Sequence, residues 1–321
     1  MPFLIEKPLV VIVGPTAVGK SEIAIQVAQK LNAEIISADS RYFYRGMNLG
    51  TAKPNKEDRA KIRHHLIDVA EPDEVWSLNV FKRAAHECIK EVHSRGKLPL
   101  LVGGTGQYIH AIIRDWNIPT IEPNHAMRTV INDWADDIGK EKLHDKLSFI
   151  DPESATQIDA RNVRRTIRAL EVIFLTGRKF STNRGDGSSP FDLKVIGIIR
   201  PRVDLYSRID QRIDQMLSQG LITEVKGLLK KGYSIELPSF SAIGYREIAN
   251  FLTGKVTLDE AIILMKRRSR QFVRRQSNWF KLDDPSIQWF PVRENLVENI
   301  IDFIKSDKGW ISKTNATQTL D

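Results

Sequence analysis

One octapeptide has the residue types and spacing of a phosphate-binding loop. It reads Gly14-Pro-Thr-Ala-Val-Gly-Lys-Ser21, follows the apolar run 9–13 and precedes a helix predicted over residues 22–31. In this strand-to-helix setting the glycines let backbone N–H groups surround a diphosphate, Lys20 adds positive charge, and the Ser21 hydroxyl can ligate Mg²⁺. The residues predicted to line this diphosphate or nucleotide site are Gly14, Pro15, Thr16, Ala17, Val18, Gly19, Lys20 and Ser21. The octapeptide does not distinguish ATP or GTP from another polyphosphate.

Two further strand ends are expected to bring polar groups to the same place. A second strand is predicted at 34–38, followed by Asp39, and another at 98–102, followed by Gly103-Gly-Thr-Gly106. Because open α/β sheets bind ligands at the carboxyl ends of their strands, Asp39 and Thr105 are predicted to lie near the phosphates. Thr105 is either a turn hydroxyl or a substrate contact. The pair His64-His65 is either a third short strand or part of a loop.

The order of the predicted elements indicates a parallel α/β sheet interrupted by helices. We predict a P-loop NTPase-like core in two parts, residues 1–115 and 191–305, an all-helical insertion at 116–190, and a flexible tail at 306–321. In the insertion, helices are predicted near 126–138, 141–149, 152–158 and 162–175. After it, a strand is predicted at 193–199, helices at 204–219, 222–231, 242–251 and 258–282, a strand at 287–290 and a closing helix at 294–305.

Basic residues form two clusters that are far apart in the sequence. Residues 265–281 contain seven Lys or Arg and no acid, and Arg267, Arg270, Arg274 and Lys281 fall on one helical stripe. A solvated helix face and a groove for a phosphate backbone are both consistent with this stripe. The second cluster lies in the insertion and comprises Arg161, Arg164, Arg165 and Arg168. Two such clusters favour a long polyanion over a small ligand.

Two arginines could contribute to the phosphate site, and the acid of a Walker B motif is absent from the predicted strand ends. Arg208 and Arg212 share a helix face, where they either pair with Asp204 or Asp214 or cap a bound diphosphate. No later predicted strand ends in the acid of a Walker B motif. Mg²⁺ would then be held by Ser21 and the diphosphate, with Asp39 as a further candidate ligand. This absence weakens an ATPase interpretation.

The composition is that of an ordinary globular protein. The 321 residues are 41% hydrophobic and 27% charged, with a net charge of +8 and the single cysteine Cys88. One cysteine excludes an internal disulfide, and no Cys/His spacing is typical of zinc. No apolar run approaches a membrane span and the N-terminus lacks a signal-peptide layout, so we expect a cytoplasmic protein with no membrane partner. A monomer is the default expectation.

With these residues in view, the chain resembles the tRNA dimethylallyltransferases, or isopentenylpyrophosphate transferases, to about residue 305. The matching stretches are GPTAVGKS (14–21), ADSRYFYRGMNLGTAKP (38–54), HHLIDV (64–69), LVGGTGQYI (101–109), RALEV (168–172), RIDQRIDQML (208–217), IGYRE (243–247) and RRQSNWF (274–280). Tyr42, Gln107 and Asn48-Leu49 depart from the family pattern. The zinc-finger extension of eukaryotic members is absent, so a bacterial type is expected.

The resemblance implies transfer of a dimethylallyl group from dimethylallyl diphosphate to N6 of the adenosine just 3′ of the tRNA anticodon, with Mg²⁺ and release of diphosphate. It implies that Asp39 is the general base and that Lys20, Ser21-bound Mg²⁺ and Arg208 stabilise the leaving diphosphate. The helical insertion would hold the anticodon stem-loop. The implied tRNA contacts are Asp39, Ser40, Arg41, Tyr42, Thr105, Met127, Arg128, Arg164, Arg165, Arg168, Arg267, Arg270 and Arg274.

Two other functions are compatible with parts of this pattern. A small-molecule kinase would also need the P-loop, Lys20 and an aspartate in the cleft, and it would bind ATP. A non-catalytic RNA-binding NTPase module would bind tRNA with a steep salt dependence and transfer nothing. The two basic clusters argue against the kinase.

Overall fold

A computed structural model describes residues 7–119, 121, 123–183 and 187–306 of the chain. It divides into two compact units, one from the described residues of Met1–Ile113 and Ser189–Asp321 and one from those of Arg114–Ser188. The second unit differs by two residues at each end from the insertion predicted at 116–190. Beyond residue 306, the predicted flexible tail lies outside the described residues.

A six-stranded sheet forms the centre of the first unit. Its strands are β1 (Lys7–Val13), β2 (Ala33–Ser37), β3 (His64–His65), β4 (Leu98–Val102), β5 (Phe191–Ile199) and β6 (Ile287–Pro291). They are ordered β3-β2-β4-β1-β5-β6, and every neighbouring pair is parallel. Val11 of β1 lies opposite Leu101 on one side and Val195 on the other. All six carboxyl ends therefore meet at one edge, as the sequence predicts.

Helices cover both faces of this sheet. The first unit contains α1 (Lys20–Lys30), α2 (Lys56–Lys61), α3 (Leu78–Ser94), α4 (Gly106–Ile113), α9 (Arg202–Ser218), α10 (Leu221–Lys230), α11 (Tyr245–Leu252), α12 (Leu258–Gln276) and α13 (Leu296–Lys305). The second contains α5 (His125–Ile138), α6 (Lys140–Ile150), α7 (Pro152–Gln157) and α8 (Val163–Thr176). Short 3₁₀ turns occur at Ser181–Asn183 and Pro238–Ser241. No described helix has the length and apolar character needed to cross a membrane.

The burial of β1 on both faces explains its continuous apolar run. Val10 and Ile12 belong to a core cluster shared with α1 and with the helices after β5. Leu9, Val11 and Val13 belong to a second cluster on the opposite face, shared with α3 and α4. A parallel strand covered by helices on both sides has no solvent-facing positions, so it does not alternate apolar and polar residues.

The predicted helix over residues 258–282 is wrong at its end, because α12 stops at Gln276. The N–H groups of Trp279 and Phe280 turn back to the Gln276 carbonyl, at 3.1 and 3.3 Å. Phe280 then enters the core, where it is only 4% exposed. Burial of this aromatic ring overrides continuation of the helix, and Lys281 leaves the predicted stripe.

Two other elements depart from the sequence-based prediction. Helix α11 begins at Tyr245 and not at residue 242, because Gly244 precedes it with a φ of 102°. Helix α2 was not predicted. None of its residues is buried, so it has no apolar periodicity, and its recognisable signal is the Asn55 side chain accepting a hydrogen bond from the Asp58 N–H at 2.7 Å.

The core of the helical unit consists of apolar side chains and includes the buried carboxylate of Glu171. Leu143, Leu147 and Leu170 are fully buried in its core. Glu171, also fully buried, accepts hydrogen bonds from the Arg128 and Arg168 guanidinium groups at 3.0 and 2.7 Å. These bonds compensate the cost of burying its charge.

Glu34 of β2 is a second buried carboxylate, at the end of the sheet opposite the strand termini that carry the phosphate site. It bonds to His65 Nε2 at 2.7 Å, Arg95 Nη2 at 2.7 Å and Lys97 Nζ at 3.1 Å. Burial alone would raise the pKa of Glu34, but hydrogen bonds from Arg95, His65 and Lys97 outweigh it and lower the pKa to about 2.

Because the folded-state pKa of Glu34 is depressed, its stabilising effect is present above its ordinary pKa of 4.5 and is lost as the pH falls towards 2. We expect Glu34→Gln to lower the free energy of unfolding at pH 7 by about 2 kcal/mol, since Arg95 and Lys97 still reach solvent. Urea unfolding at pH 7, 4.5 and 3 should show this difference shrinking in acid. Glu298→Gln, which breaks the exposed pair with Lys30, is the control and should have a much smaller effect, because solvent screens an exposed pair. A pH-independent effect of Glu34→Gln would contradict the assignment.

Candidate active site

Residues 14–21, here called the diphosphate loop, join β1 to α1 and are held at four points. The Lys20 ammonium donates to the carbonyl oxygens of Gly14 and Pro15, at 3.0 and 2.8 Å. The Thr16 N–H donates to Gln276 Oε1 at 2.8 Å, and Arg208 Nε donates to the Ala17 carbonyl at 2.8 Å. The strand, loop and helix order predicted for a phosphate site is therefore present, and its loop is fixed by groups from α9 and α12.

The charged form of Lys20 is destabilised by its surroundings. Burial lowers its pKa to about 8, the Asp39 carboxylate acts against this shift, and Arg212 adds to it. The Lys20, Asp39 and Arg212 side chains are thus close enough to interact, although the sequence separates them widely. A desolvated ammonium beside a guanidinium favours an anion, because the anion relieves the repulsion between the two cations.

Asp39 follows β2 and is held by its own backbone turn. Its Oδ1 accepts the Arg41 N–H at 2.9 Å, and its carbonyl accepts the Tyr42 N–H at 3.1 Å. These bonds fix the direction of the carboxylate at the edge of the sheet. The structure therefore brings Asp39 and Lys20 together, while the catalytic roles of both stay predictions. Ser40, next in the chain, is half-buried.

Tyr42 connects the two sides of this cleft. Its hydroxyl donates to the Ala52 carbonyl at 2.9 Å and lies near the Ser21 and Arg212 side chains. Burial and the nearby Asp39 carboxylate raise the pKa of Tyr42 to about 12, so the hydroxyl stays protonated. Of the two arginines on α9, Arg208 contacts the diphosphate loop and Arg212 faces Lys20 and Tyr42.

Comparison with known proteins identifies the family of this chain. The model of the IPP transferase family matches residues 42–283. A tRNA dimethylallyltransferase of Roseiflexus sp. (strain RS-1) is 45% identical over 274 residues, 85% of this chain and 90% of that protein. That of Carboxydothermus hydrogenoformans is 44% identical over 304 residues, 94% and 97% of the two chains. The chain belongs to the IPP transferase family.

Solved structures of family members share the fold. The full-length tRNA isopentenylpyrophosphate transferase of Bacillus halodurans matches 98% of this chain and 100% of its own, with a TM-score of 0.71 and 41% identity. A eukaryotic dimethylallyltransferase acting on tRNA matches 98% of this chain and 87% of its own, with a TM-score of 0.80 and 27% identity.

Arg41 and Thr105 lie just beyond the carboxyl ends of β2 and β4. The Arg41 guanidinium donates to the Pro238 carbonyl and to Ser241 Oγ, each at 3.0 Å. Thr105 precedes α4, and its carbonyl accepts the N–H groups of Tyr108 and Ile109. Its half-buried side chain leaves both earlier readings open, a turn hydroxyl or a substrate contact.

The basic stripe lies on α12 and, without Lys281, consists of Arg267, Arg270 and Arg274. Its three arginines differ in whether their charge is paired within the protein. Arg267 and Arg274 are exposed. Arg270 Nη2 lies 2.6 Å from Asp210 Oδ2, and its guanidinium stacks 5.4 Å from the Tyr206 ring. Its charge is already compensated within the protein.

The same contrast appears among the predicted RNA contacts of the helical unit. Arg164 and Arg165 are exposed on the first turn of α8, whereas Arg128 and Arg168 bind the buried Glu171. Met127 is half-buried against the core of the unit. All five stay predictions as RNA contacts. Gln276, by contrast, was missed, because an uncharged side chain within a basic run carries no signal of its position.

The basic stripe can be tested by the salt dependence of RNA binding. We expect Arg267→Ala and Arg274→Ala each to reduce the slope of log K against log salt by about one unit for an anticodon stem-loop, because each loses a phosphate contact. Arg270→Ala serves as the matched variant and should change the slope less, since Asp210 already neutralises it. Titrations at several salt concentrations provide the measurement. Unchanged slopes for Arg267→Ala and Arg274→Ala would assign the stripe to a solvated face.

Proposed function

We propose that this chain, a tRNA prenyltransferase by family, transfers a dimethylallyl group from dimethylallyl diphosphate to N6 of the adenosine just 3′ of the anticodon. The observation that carries the proposal is the meeting of the Lys20 ammonium and the Asp39 carboxylate at the carboxyl edge of the sheet. The ammonium can stabilise a departing diphosphate, and the carboxylate can accept the proton that must be removed. The identity of the substrate is inferred from the IPP transferase family.

The donor half of the reaction is assigned to the diphosphate loop. As the bond from the allylic carbon to oxygen breaks, negative charge develops on diphosphate. Loop N–H groups, Lys20 and the α9 arginines Arg208 and Arg212 would stabilise that charge. Since Lys20 now bonds to the Gly14 and Pro15 carbonyls, an incoming diphosphate would exchange these neutral acceptors for charged ones, which form stronger bonds.

The acceptor half is assigned to Asp39. The N6 amine is a weak nucleophile because its lone pair is delocalised into the ring, so the base must be extruded, oriented and deprotonated as the C–N bond forms. The Arg41 N–H fixes Asp39 Oδ1 and with it the plane of the carboxylate. Ser40, Arg41, Tyr42 and Thr105 would contact the extruded base.

Mg²⁺ is the proposed cofactor, and the oxygen donors at the loop suit it. The described residues contain no group of three or more His, Cys, Asp or Glu that could hold a metal. Mg²⁺ needs fewer, since it usually takes one or two protein oxygens and completes its shell with phosphate and water. The Ser21 hydroxyl, with Asp39 nearby, would hold it, and it would neutralise charge on the diphosphate.

We further propose that the protein acts as a cytoplasmic monomer. The tRNA substrate supports the compartment. The exposed large apolar residues support the monomer, because they are far apart in the sequence, as Val75, Phe149 and Ile263 are.

The reaction itself is tested by incubating an anticodon stem-loop RNA with dimethylallyl diphosphate and Mg²⁺, followed by mass analysis of the nucleosides. We expect one adenosine to gain a dimethylallyl group without ATP. Lys20→Ala should slow the transfer by about 10²- to 10³-fold, because a charge on the leaving group is lost. Conversion of ATP to ADP without prenylation would indicate a kinase, and RNA binding without transfer would indicate a non-catalytic module.

The role of Asp39 is tested by Asp39→Asn, which keeps the shape and one acceptor but cannot take a proton. We expect the single-turnover rate to fall by about 10²- to 10⁴-fold while RNA affinity changes little. Asp73→Asn, at an exposed carboxylate, is the control and should behave as the wild type. If Asp39→Asn keeps most of the rate, water or the departing diphosphate removes the proton.

A further inference from the structure

Gln276, the last residue of α12, bridges two glycine-rich segments of the site. Its side chain is buried, with the residue only 5% exposed. The carboxamide oxygen accepts the Thr16 N–H of the diphosphate loop at 2.8 Å, and the carboxamide nitrogen donates to the Gly104 carbonyl at 2.9 Å. Gly104 belongs to residues 103–106, here called the glycine turn, which carries Thr105. One side chain thus joins the loop proposed for the prenyl donor to the turn proposed for the base.

The glycine turn packs closely against this carboxamide. A Cβ on Gly104 would lie 2.3 Å from Gln276 Nε2 and 3.2 Å from the Gly14 carbonyl oxygen. A Cβ on Gly106 would lie 2.1 Å from the Trp279 ring. The diphosphate loop and the glycine turn are therefore almost in backbone contact, and the end of α12 closes against both.

The end of α12 is itself anchored. Trp279 and Phe280 pack edge-on against the His110 ring of α4, with ring centroids 5.4 and 5.8 Å apart. Gln276 consequently has little freedom to follow a movement of either segment. Because a buried donor or acceptor that loses its partner costs about 1–3 kcal/mol, removal of the carboxamide would drive both segments to rearrange.

We propose that Gln276 is a positioning residue for prenyl transfer, which sets the distance between the diphosphate loop and the glycine turn. This proposal rests on the proposed function. Gln276 acts through Thr16 and Gly104 and not on the reacting atoms. Its effect is on the alignment of the allylic carbon with N6, and a displacement of about 1 Å in such an alignment lowers a rate by about 10²-fold.

The main test is Gln276→Met, which keeps the side-chain volume and removes both hydrogen bonds. Gln271→Met, at an exposed glutamine on the same helix, is the matched control. Single-turnover transfer with enzyme in excess separates two effects, because misfolded protein lowers the amplitude while misalignment lowers the rate constant. We expect the rate constant of Gln276→Met to fall about 10- to 100-fold, with stem-loop affinity within about twofold of wild type and the control unchanged. A wild-type rate constant with reduced amplitude would overturn the proposal.

A second measurement does not depend on catalysis. Hydrogen–deuterium exchange should be faster in Gln276→Met than in wild type for peptides covering Thr16 and the glycine turn, because both lose their shared partner. Unchanged exchange at both segments would overturn the proposal. Absence of transfer by the wild type would contradict the proposed function alone, and exchange would still test the bridge.

If Gln276→Met does not fold, Gln276→Glu replaces it. The carboxylate still accepts the Thr16 N–H and cannot donate to the Gly104 carbonyl. Faster exchange is then expected in the glycine turn and not at Thr16. If exchange in both segments of Gln276→Glu is the same as in wild type, the proposal is overturned.

Discussion

The contacts that fix the loop at residues 14–21, at the end of β1, are the ones on which the proposed site depends. Backbone N–H groups bind a diphosphate only if the loop that carries them keeps one shape in its absence. Here the loop is tied by Lys20 to its own carbonyls, by Arg208 to α9 and by Gln276 to α12. One of the two helices that hold the loop, α12, also carries the basic stripe proposed to meet the RNA.

The parallel sheet supplies the second condition, which is that remote residues meet. Lys20, Asp39 and Thr105 come from three different strand ends. In a parallel sheet these ends share one edge, and the order β2-β4-β1 makes the three strands neighbours. A short turn after each strand is then enough to bring these three residues to the same edge of the sheet.

Arginines of the same sequence cluster have different environments. Arg270 pairs with Asp210, and Arg128 and Arg168 pair with Glu171, whereas Arg267, Arg274, Arg164 and Arg165 face solvent. A paired arginine must break an internal bond before it can bind a phosphate, so its net gain on binding is smaller. Charge patterning alone therefore overstates the number of strong phosphate contacts.

The sequence by itself determined the diphosphate loop, the parallel α/β core and the helical insertion, because each depends on local signals. Glycine spacing, continuous apolar strands and helical periodicity are all readable within about 20 residues. It also indicated that Asp39 follows a strand at the binding edge. The family blocks, which extend over most of the chain, pointed to the tRNA prenyltransferases.

Only the tertiary structure decided which groups touch. The end of α12 depends on the burial of Phe280, and the pairing of Arg270 depends on a neighbouring helix. The bridge from Gln276 to Thr16 and Gly104 spans 260 and 172 residues of sequence. Such contacts are formed by the packing of distant elements, and no local pattern of residue types encodes them.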